Sequence, residues 1–139
     1  MDQQMNGLTR EEILAMDDLV IEPHPVPEWK GRVVFVRSLS ALERGEIEGS
    51  AAQFKESKGR DASFARTFTV TMAWMGMCDA SGARLFPKRE DVTQLQTKNA
   101  SAISGIAEHI QRLSGFSPDD LEQMEKNSVT AQPESSPSA

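Results

Sequence analysis

The sequence predicts a small, mainly α-helical domain of the α+β class, with an N-terminal β-hairpin and a disordered C-terminal tail. Capping residues followed by apolar residues at helical spacing recur along most of the chain. One early segment instead combines prolines with β-branched residues, and residues 128–139 have almost no apolar content. Because 139 residues suit one domain, we expect a flexible start at residues 1–7, a single domain over residues 8–127 and a disordered tail at residues 128–139.

The first helix is predicted from a capping box. The Thr9 hydroxyl can accept a hydrogen bond from the Glu12 amide, while the Glu12 carboxylate accepts one from the Thr9 amide. Leu8 and Ile13 occupy the positions of a hydrophobic staple. We therefore expect a short helix over about residues 10–18.

Residues 20–37 predict a β-hairpin, because β-branched and aromatic residues follow a proline-rich stretch. Lys30 and Gly31 supply the turn. The first strand must be an edge strand or a loose extended arm, since three residues lack an amide donor: Pro23, Pro25 and Pro27. Trp29, just before the turn, either covers a small hydrophobic core, which is the favoured interpretation, or anchors a partner.

Two long helices are predicted next. Ser40 and Glu43 form a second capping box, which opens a helix that buries Ile47, Ala51 and Phe54 and leaves its glutamates outside: Glu43, Glu46 and Glu48. From residue 62 onwards an apolar stripe follows a helical course: Phe64, Phe68, Met72 and Met75. The threonines of this segment favour a strand, but its length and its stripe favour a helix. Apolar residues on its other faces make it the expected central, most buried helix.

Shorter elements follow. Residues 79–82 predict a turn closed by Gly82, and a brief helix is expected over about residues 89–95. The next helix spans about residues 100–113 and ends at Gly115, with one apolar face: Ile103, Ile106, Ile110 and Leu113. A last helix begins at Ser117.

Composition excludes several classes of function. The net charge of −6 and the pI near 4.9 disfavour nucleic-acid binding and favour neutral or basic partners. No apolar run approaches the length of a membrane span, and the start lacks the pattern of a secretory signal, so we expect a soluble cytoplasmic protein. The single cysteine, Cys78, is expected to be a small buried hydrophobe.

Motifs of catalysis or metal binding are not found. His24 and His109 lie in no ligand pattern. Residues 79–90 begin with Asp and end with Glu as a calcium loop does, but Arg84 stands where glycine is needed. Basic residues could build a local patch, although solvated loop charges are the favoured interpretation: Lys55, Lys58, Arg60, Arg84, Lys88 and Arg89. We expect neither an enzyme nor a cofactor.

Taken in order, several segments resemble the tail assembly chaperones of long-tailed, siphovirus-type bacteriophages and prophages. They are LTREEIL with DDL at residues 8–19, VPEW leading to VFVR at residues 26–37, DASGARLF at 79–86, IQRLSG at 110–115 and DDLE at 119–122. The likeness covers about residues 8–127.

The resemblance implies a non-enzymatic protein of the host cytoplasm that is absent from the mature virion. Such a chaperone binds the tape-measure protein, keeps it soluble and recruits tail-tube subunits, and self-association is left open. A ribosomal frameshift would extend the chain from residues 128–139. The alternative is a minor tail or head-tail joining protein that stays in the virion.

A chaperone for a long helical client needs exposed apolar surface, which methionines and short helices can supply. The alternative, favoured for any individual methionine, is that it belongs to the core. The candidate partner-binding residues are Trp29, Phe64, Phe68, Met72, Trp74, Met75, Ile103, Ile106 and Ile110.

Overall fold

The computed structural model of the chain describes residues 6–56 and 63–116, without the side chains of residues 53–55 and 63–66. Five helices and three strands follow one another along this part of the chain. They are α1 (Arg10–Ala15), β1 (Ile21–Val26), β2 (Arg32–Arg37), α2 (Ala41–Glu56), α3 (Ser63–Gly76), β3 (Met77–Cys78), α4 (Asp91–Leu95) and α5 (Ala100–Leu113). The α+β class is confirmed. The last predicted helix, the C-terminal tail and residues 1–5 lie outside the described residues.

The helix starts follow the predicted capping signals. Thr9 and Glu12 form the complete capping box of α1, and Ser40 and Glu43 form that of α2. The first of these helices ends at Ala15, before the predicted end, because Met16 adopts extended backbone. The bounds of α5 agree with the prediction, and Gly115 beyond its end has a φ of 75°.

The predicted hairpin is present, with β1 paired antiparallel to β2. A single 3-10 turn, Pro27–Trp29, leads into Lys30 and Gly31, which both adopt a positive φ and reverse the chain. The strand order β1-β2-β3 makes β1 an edge strand, one of the two possibilities that the prolines predicted. The third strand was not predicted, because its two residues continue the apolar stripe of α3 and pair with Phe35 and Val36 only after the chain has folded back.

The core lies between the inner face of the sheet and the helices. Helix α5 packs against α3 and against both long strands. Close approach of α3 and α5 depends on Gly76, since a Cβ at this position would lie 2.5 Å from Ile110 Cδ1. One cluster contains nearly all of the buried apolar side chains, with Val36, Met72, Ile106 and Ile110 entirely inaccessible.

Candidate partner-binding surface

The hairpin presents an apolar face to solvent. Successive side chains of a strand alternate between the two faces of a sheet, so Ile21, Pro23 and Pro25 share one face with their cross-strand partners. Among those partners Val33 is 53% exposed and Phe35 is 36% exposed. The solvent face of an antiparallel sheet is ordinarily polar. We call these five residues the outer sheet face, and its composition is that of a surface that meets another apolar surface.

Prolines close the free edge of this sheet to another strand. Val26 accepts a backbone hydrogen bond from Gly31, and Val20 accepts one from Ser38, so these alternate residues direct their backbone polar groups towards β2. By the same alternation Pro23 and Pro25 direct theirs outwards, where they have no N–H to donate. The edge is therefore a poor template for an added strand, and a partner would have to approach the face.

Apolar side chains are also exposed in the segment that leads into β1. Residues 8–20, which we call the N-terminal arm, contain α1, and none of the residues of this helix is buried. Leu8 is 59% exposed, Ile13 55% and Leu14 69%. The arm is joined to the sheet at Val20, whose amide donates to the Ser38 hydroxyl at 2.9 Å. It extends the exposed apolar surface beyond the sheet.

A buried ionic cluster fixes the end of β2 at the margin of this face, where Arg37 is the cross-strand partner of Ile21. Arg37 donates two hydrogen bonds to the Glu43 carboxylate, at 3.0 and 2.8 Å, and Arg84 reaches the same carboxylate at 2.7 Å. Burial raises the pKa of Glu43, but hydrogen bonds from Arg37, the Ser40 amide and Arg84 outweigh it and lower the pKa to about 2. The prediction that Glu43 lies outside is wrong, because its cap position turns it towards Arg37, where only 7% of the residue stays exposed.

Two of the predicted basic-patch residues lie over a tryptophan. The guanidinium of Arg84 is 4.5 Å from the ring centroid of Trp74, and that of Arg89 is 5.2 Å from it. The indole N–H donates to the carbonyl of Lys88 at 3.1 Å. A cleft of about 610 Å³ beside them separates the 84–89 loop from α2 and is bordered by both signs of charge, Arg89 and Glu46 among them. The side chains of Lys55, Lys58 and Arg60 lie outside the description.

His24 and His109 meet on the inner face of the sheet, a contact that no local pattern in the sequence predicts. Their Nδ1 atoms lie 3.0 Å apart, and His109 Nε2 lies 2.9 Å from a carboxylate oxygen of Glu22. Burial, His109 and Arg112 lower the pKa of His24, against a smaller opposing effect of Glu28.

Metal and membrane sites find no support in the described part of the chain. No group of three or more His, Cys, Asp or Glu residues within residues 6–56 and 63–116 could hold a metal ion. Asp79 instead accepts hydrogen bonds from Ser81 and Ala83, which close the turn and lower its pKa. Burial raises the pKa of the Cys78 thiol. No helix among the described residues has the length and apolarity to cross a bilayer.

Among solved structures, the chain is similar to the tail assembly chaperone of bacteriophage HK97. The sequence identity is 15%, the TM-score is 0.52, and the match covers 84% of this chain and 99% of that chain. The chain therefore has a fold like that of a phage tail assembly chaperone. At this identity the likeness shows the fold alone. No family model and no curated protein matches the sequence.

Most of the partner-binding residues predicted from the sequence lie in the core of this chaperone-like fold. Six of them are at most 5% exposed: Met72, Trp74, Met75, Ile103, Ile106 and Ile110. Trp29 and Phe68 are half-buried and pack against the same core, and the Phe64 side chain lies outside the description. A partner cannot reach these side chains while the core is closed, because α3 and α5 cover each other's apolar stripes and Arg84 and Arg89 cover Trp74.

The accessible apolar residues are the ones that sequence reasoning did not select. Phe35 and Val33 looked like ordinary strand residues, and only the register with β1 shows that Pro23, Pro25 and Ile21 join them on one face. An available signal was the alternation itself, since prolines at every second position of β1 align with apolar residues at every second position of β2.

Proposed function

We propose that this protein is a non-enzymatic tail assembly chaperone of a long-tailed phage or prophage, which shelters apolar segments of a tape-measure protein. The observation that carries the proposal is the outer sheet face, an exposed apolar surface on a fold like that of the HK97 tail assembly chaperone. The exposed apolar side chains of the N-terminal arm add to this surface.

The chemistry of the surface suits a holding function. Apolar burial is non-directional, so a face of Val, Phe, Ile and Pro accepts different apolar segments without a fixed pattern of hydrogen bonds. The proline-blocked edge of β1 limits the strand pairing by which exposed sheets aggregate. Because of the net charge of −6, copies of the protein and of its complexes repel one another, which favours their solubility. In this role the protein acts in the host cytoplasm, recruits tail-tube subunits to the sheltered tape-measure protein and leaves before the virion matures.

The decisive experiment is co-expression with the tape-measure protein of the same genome, followed by measurement of client solubility and of the dissociation constant. The wild-type chain should keep the client in the soluble fraction and be recovered with it. Replacing both Val33 and Phe35 by Asp should weaken binding by about tenfold or more, because both lie at the centre of the outer sheet face.

Leu42→Asp is the matched control. Leu42 is 74% exposed in the first turn of α2 and is not part of the outer sheet face, so this variant introduces an aspartate at an accessible apolar position and should bind the client as the wild type does. Equal weakening by both variants, or a client that is insoluble with and without the wild-type chain, would contradict the proposal. Mass spectrometry of purified virions tests the proposal that the protein leaves before the virion matures, since a chaperone should be missing from them.

A further inference from the structure

Both histidines of the chain are used in a single contact between β1 and α5. The sequence contains only His24 and His109, which are 85 positions apart and meet through their Nδ1 atoms at 3.0 Å. His109 is 9% exposed and His24 is half-buried. The ring of His24 lies over Gly105, where a Cβ would come within 3.6 Å of its Nε2. This is an ordinary van der Waals distance, so the His24 ring packs directly on α5 at Gly105.

The number of protons on the pair decides whether this contact is attractive. Two nitrogens at 3.0 Å form a hydrogen bond only when one carries a proton and the other does not. The Glu22 carboxylate accepts a hydrogen bond from His109 Nε2, which leaves His109 Nδ1 as the acceptor and His24 Nδ1 as the donor. One further proton on the pair still leaves one N–H and one lone pair between the two Nδ1 atoms, so the hydrogen bond is kept. A second proton places N–H against N–H and two positive charges in contact.

The charged groups around His24 oppose its protonated form on balance. From α5, Arg112 faces His24 together with His109, and from the turn before β2 Glu28 acts in the opposite sense. On β2 the residue opposite His24 is the uncharged Val34, with Arg32 further along the same face. Glu22 is the carboxylate that touches the pair, and it is engaged by His109 Nε2.

We propose that His24 and His109 form a proton-operated latch, which holds β1 on α5 at neutral pH and releases it when both imidazoles are charged. The inference rests on the proposed function in one respect: β1 carries three of the five residues of the outer sheet face, so the latch controls the surface offered to a client. Release leaves β2 in place, because hydrogen bonds hold the pKa of Glu43 in its Arg37–Glu43 anchor at about 2.

The direction of the effect follows from linkage. The folded-state pKa of His24 lies below its ordinary value of 6.5, so the released or unfolded state binds more protons than the latched state as the pH falls. The stability that the latch contributes is therefore complete above about pH 6.5 and is lost as the pH falls below it.

The test combines an NMR titration of the two imidazoles with backbone amide exchange in the full-length chain, without any client. Because the chain has no other histidine, the imidazole signals report on this pair alone. We expect two separated protonation steps. Below the second step the hydrogen-bonded amides of the hairpin should exchange about tenfold faster or more, after correction for the intrinsic pH dependence of exchange, while those of α3 keep their protection.

His24→Gln is the matched variant, since it keeps a side chain that can bond to His109 Nδ1 but removes one titrating group. It should show one protonation step and no pH-dependent change in the hairpin. Three results would overturn the latch. They are a single midpoint shared by both histidines, hairpin amide exchange that does not change across the titration, and the same pH-dependent change in His24→Gln. Because no client takes part, loss of the latch would leave the proposed chaperone role standing, and failure of client binding would leave the latch standing.

Discussion

Helices α1 and α5 start with similar capping signals but pack in different environments. Each has a side-chain cap, provided by Thr9 for α1 and by Asn99 for α5, and each carries apolar residues at helical spacing. Six residues of α5 are buried against the sheet and α3, whereas α1 buries none. Local signals thus specify a helix in both cases, and only the long helix belongs to the folded core.

The contrast extends to the regions around the two helices. The packed region, made of α3, α5 and the inner face of the sheet, gives the domain its stability. The exposed region, made of the N-terminal arm and the outer sheet face, keeps apolar side chains such as Leu14, Val33 and Phe35 in contact with solvent. Apolar residues retained at the surface in this way are the ones that are free to bind a partner. Substitutions in the two regions should therefore have opposite profiles in stability and in client binding.

The largest loss of stability is expected for Glu43→Ala. The change leaves Arg37 buried without its carboxylate partner, and removing one member of a buried ion pair costs about 3–5 kcal/mol. Urea denaturation measures this free energy. Glu48→Ala is the control, since it breaks only the exposed Arg44–Glu48 pair and should cost about 0.5 kcal/mol or less. Similar losses in both variants would show that the Glu43 cluster is not a structural anchor.

Ile110→Ala should be the next most damaging change. Ile110 is completely buried, and truncation of such a side chain costs about 2–5 kcal/mol through lost burial and the cavity left behind. Leu14→Ala, in α1, removes a side chain that is 69% exposed and should alter the free energy of unfolding by about 0.5 kcal/mol or less. A large effect of Leu14→Ala would mean that the arm packs against the domain in solution.

Gly76→Ala tests the close approach of α3 and α5. The added methyl group would overlap the Ile110 side chain, and overpacking of this kind costs about 1–3 kcal/mol. Gly49→Ala in α2 meets no atom within 4 Å and should instead stabilise by about 0.5–1 kcal/mol, because alanine is the better helix former. Thermal unfolding of the two variants should shift in opposite directions, and a shift in the same direction would contradict this packing.

Acid should weaken the anchor of β2 in a defined range. The pKa of the Glu43 carboxyl is about 2 in the folded protein and about 4.5 in the unfolded chain. As the pH falls, the unfolded chain therefore binds the proton before the folded protein does. The contribution of Glu43 to stability is complete above pH 4.5 and is lost as the pH falls towards 2. Denaturation curves of the wild type and of Glu43→Gln should converge over this range, and a constant difference would show that another group dominates.

The smallest effect is expected for Thr9→Ala. Loss of an N-cap costs a helix about 1 kcal/mol, but α1 contributes no buried residue to the domain. Amide exchange should therefore increase within α1, while the midpoint of global unfolding stays unchanged. A fall in that midpoint would show that α1 and the core unfold together.

The fold could be predicted from the sequence to the extent that its signals are local. The two capping boxes, the Lys30–Gly31 turn and the edge position of β1 each depend on residues within a few positions of one another. Glu43 was misplaced because its partners come from other elements, Arg37 from β2 and Arg84 from a loop 41 positions further along the chain. The candidate site was predicted less well, because an apolar stripe looks the same whether it is later covered or left open.

The sequence by itself determined the helices, the hairpin and their turns, since hydrogen bonds and steric preferences between near neighbours decide these. Only the tertiary structure decided which apolar surfaces face each other. It buried the stripes of α3 and α5, left Val33 and Phe35 in solvent, and brought His24 to His109. Such contacts depend on how whole elements pack and align, which is a collective outcome of the chain and not a property of any short segment.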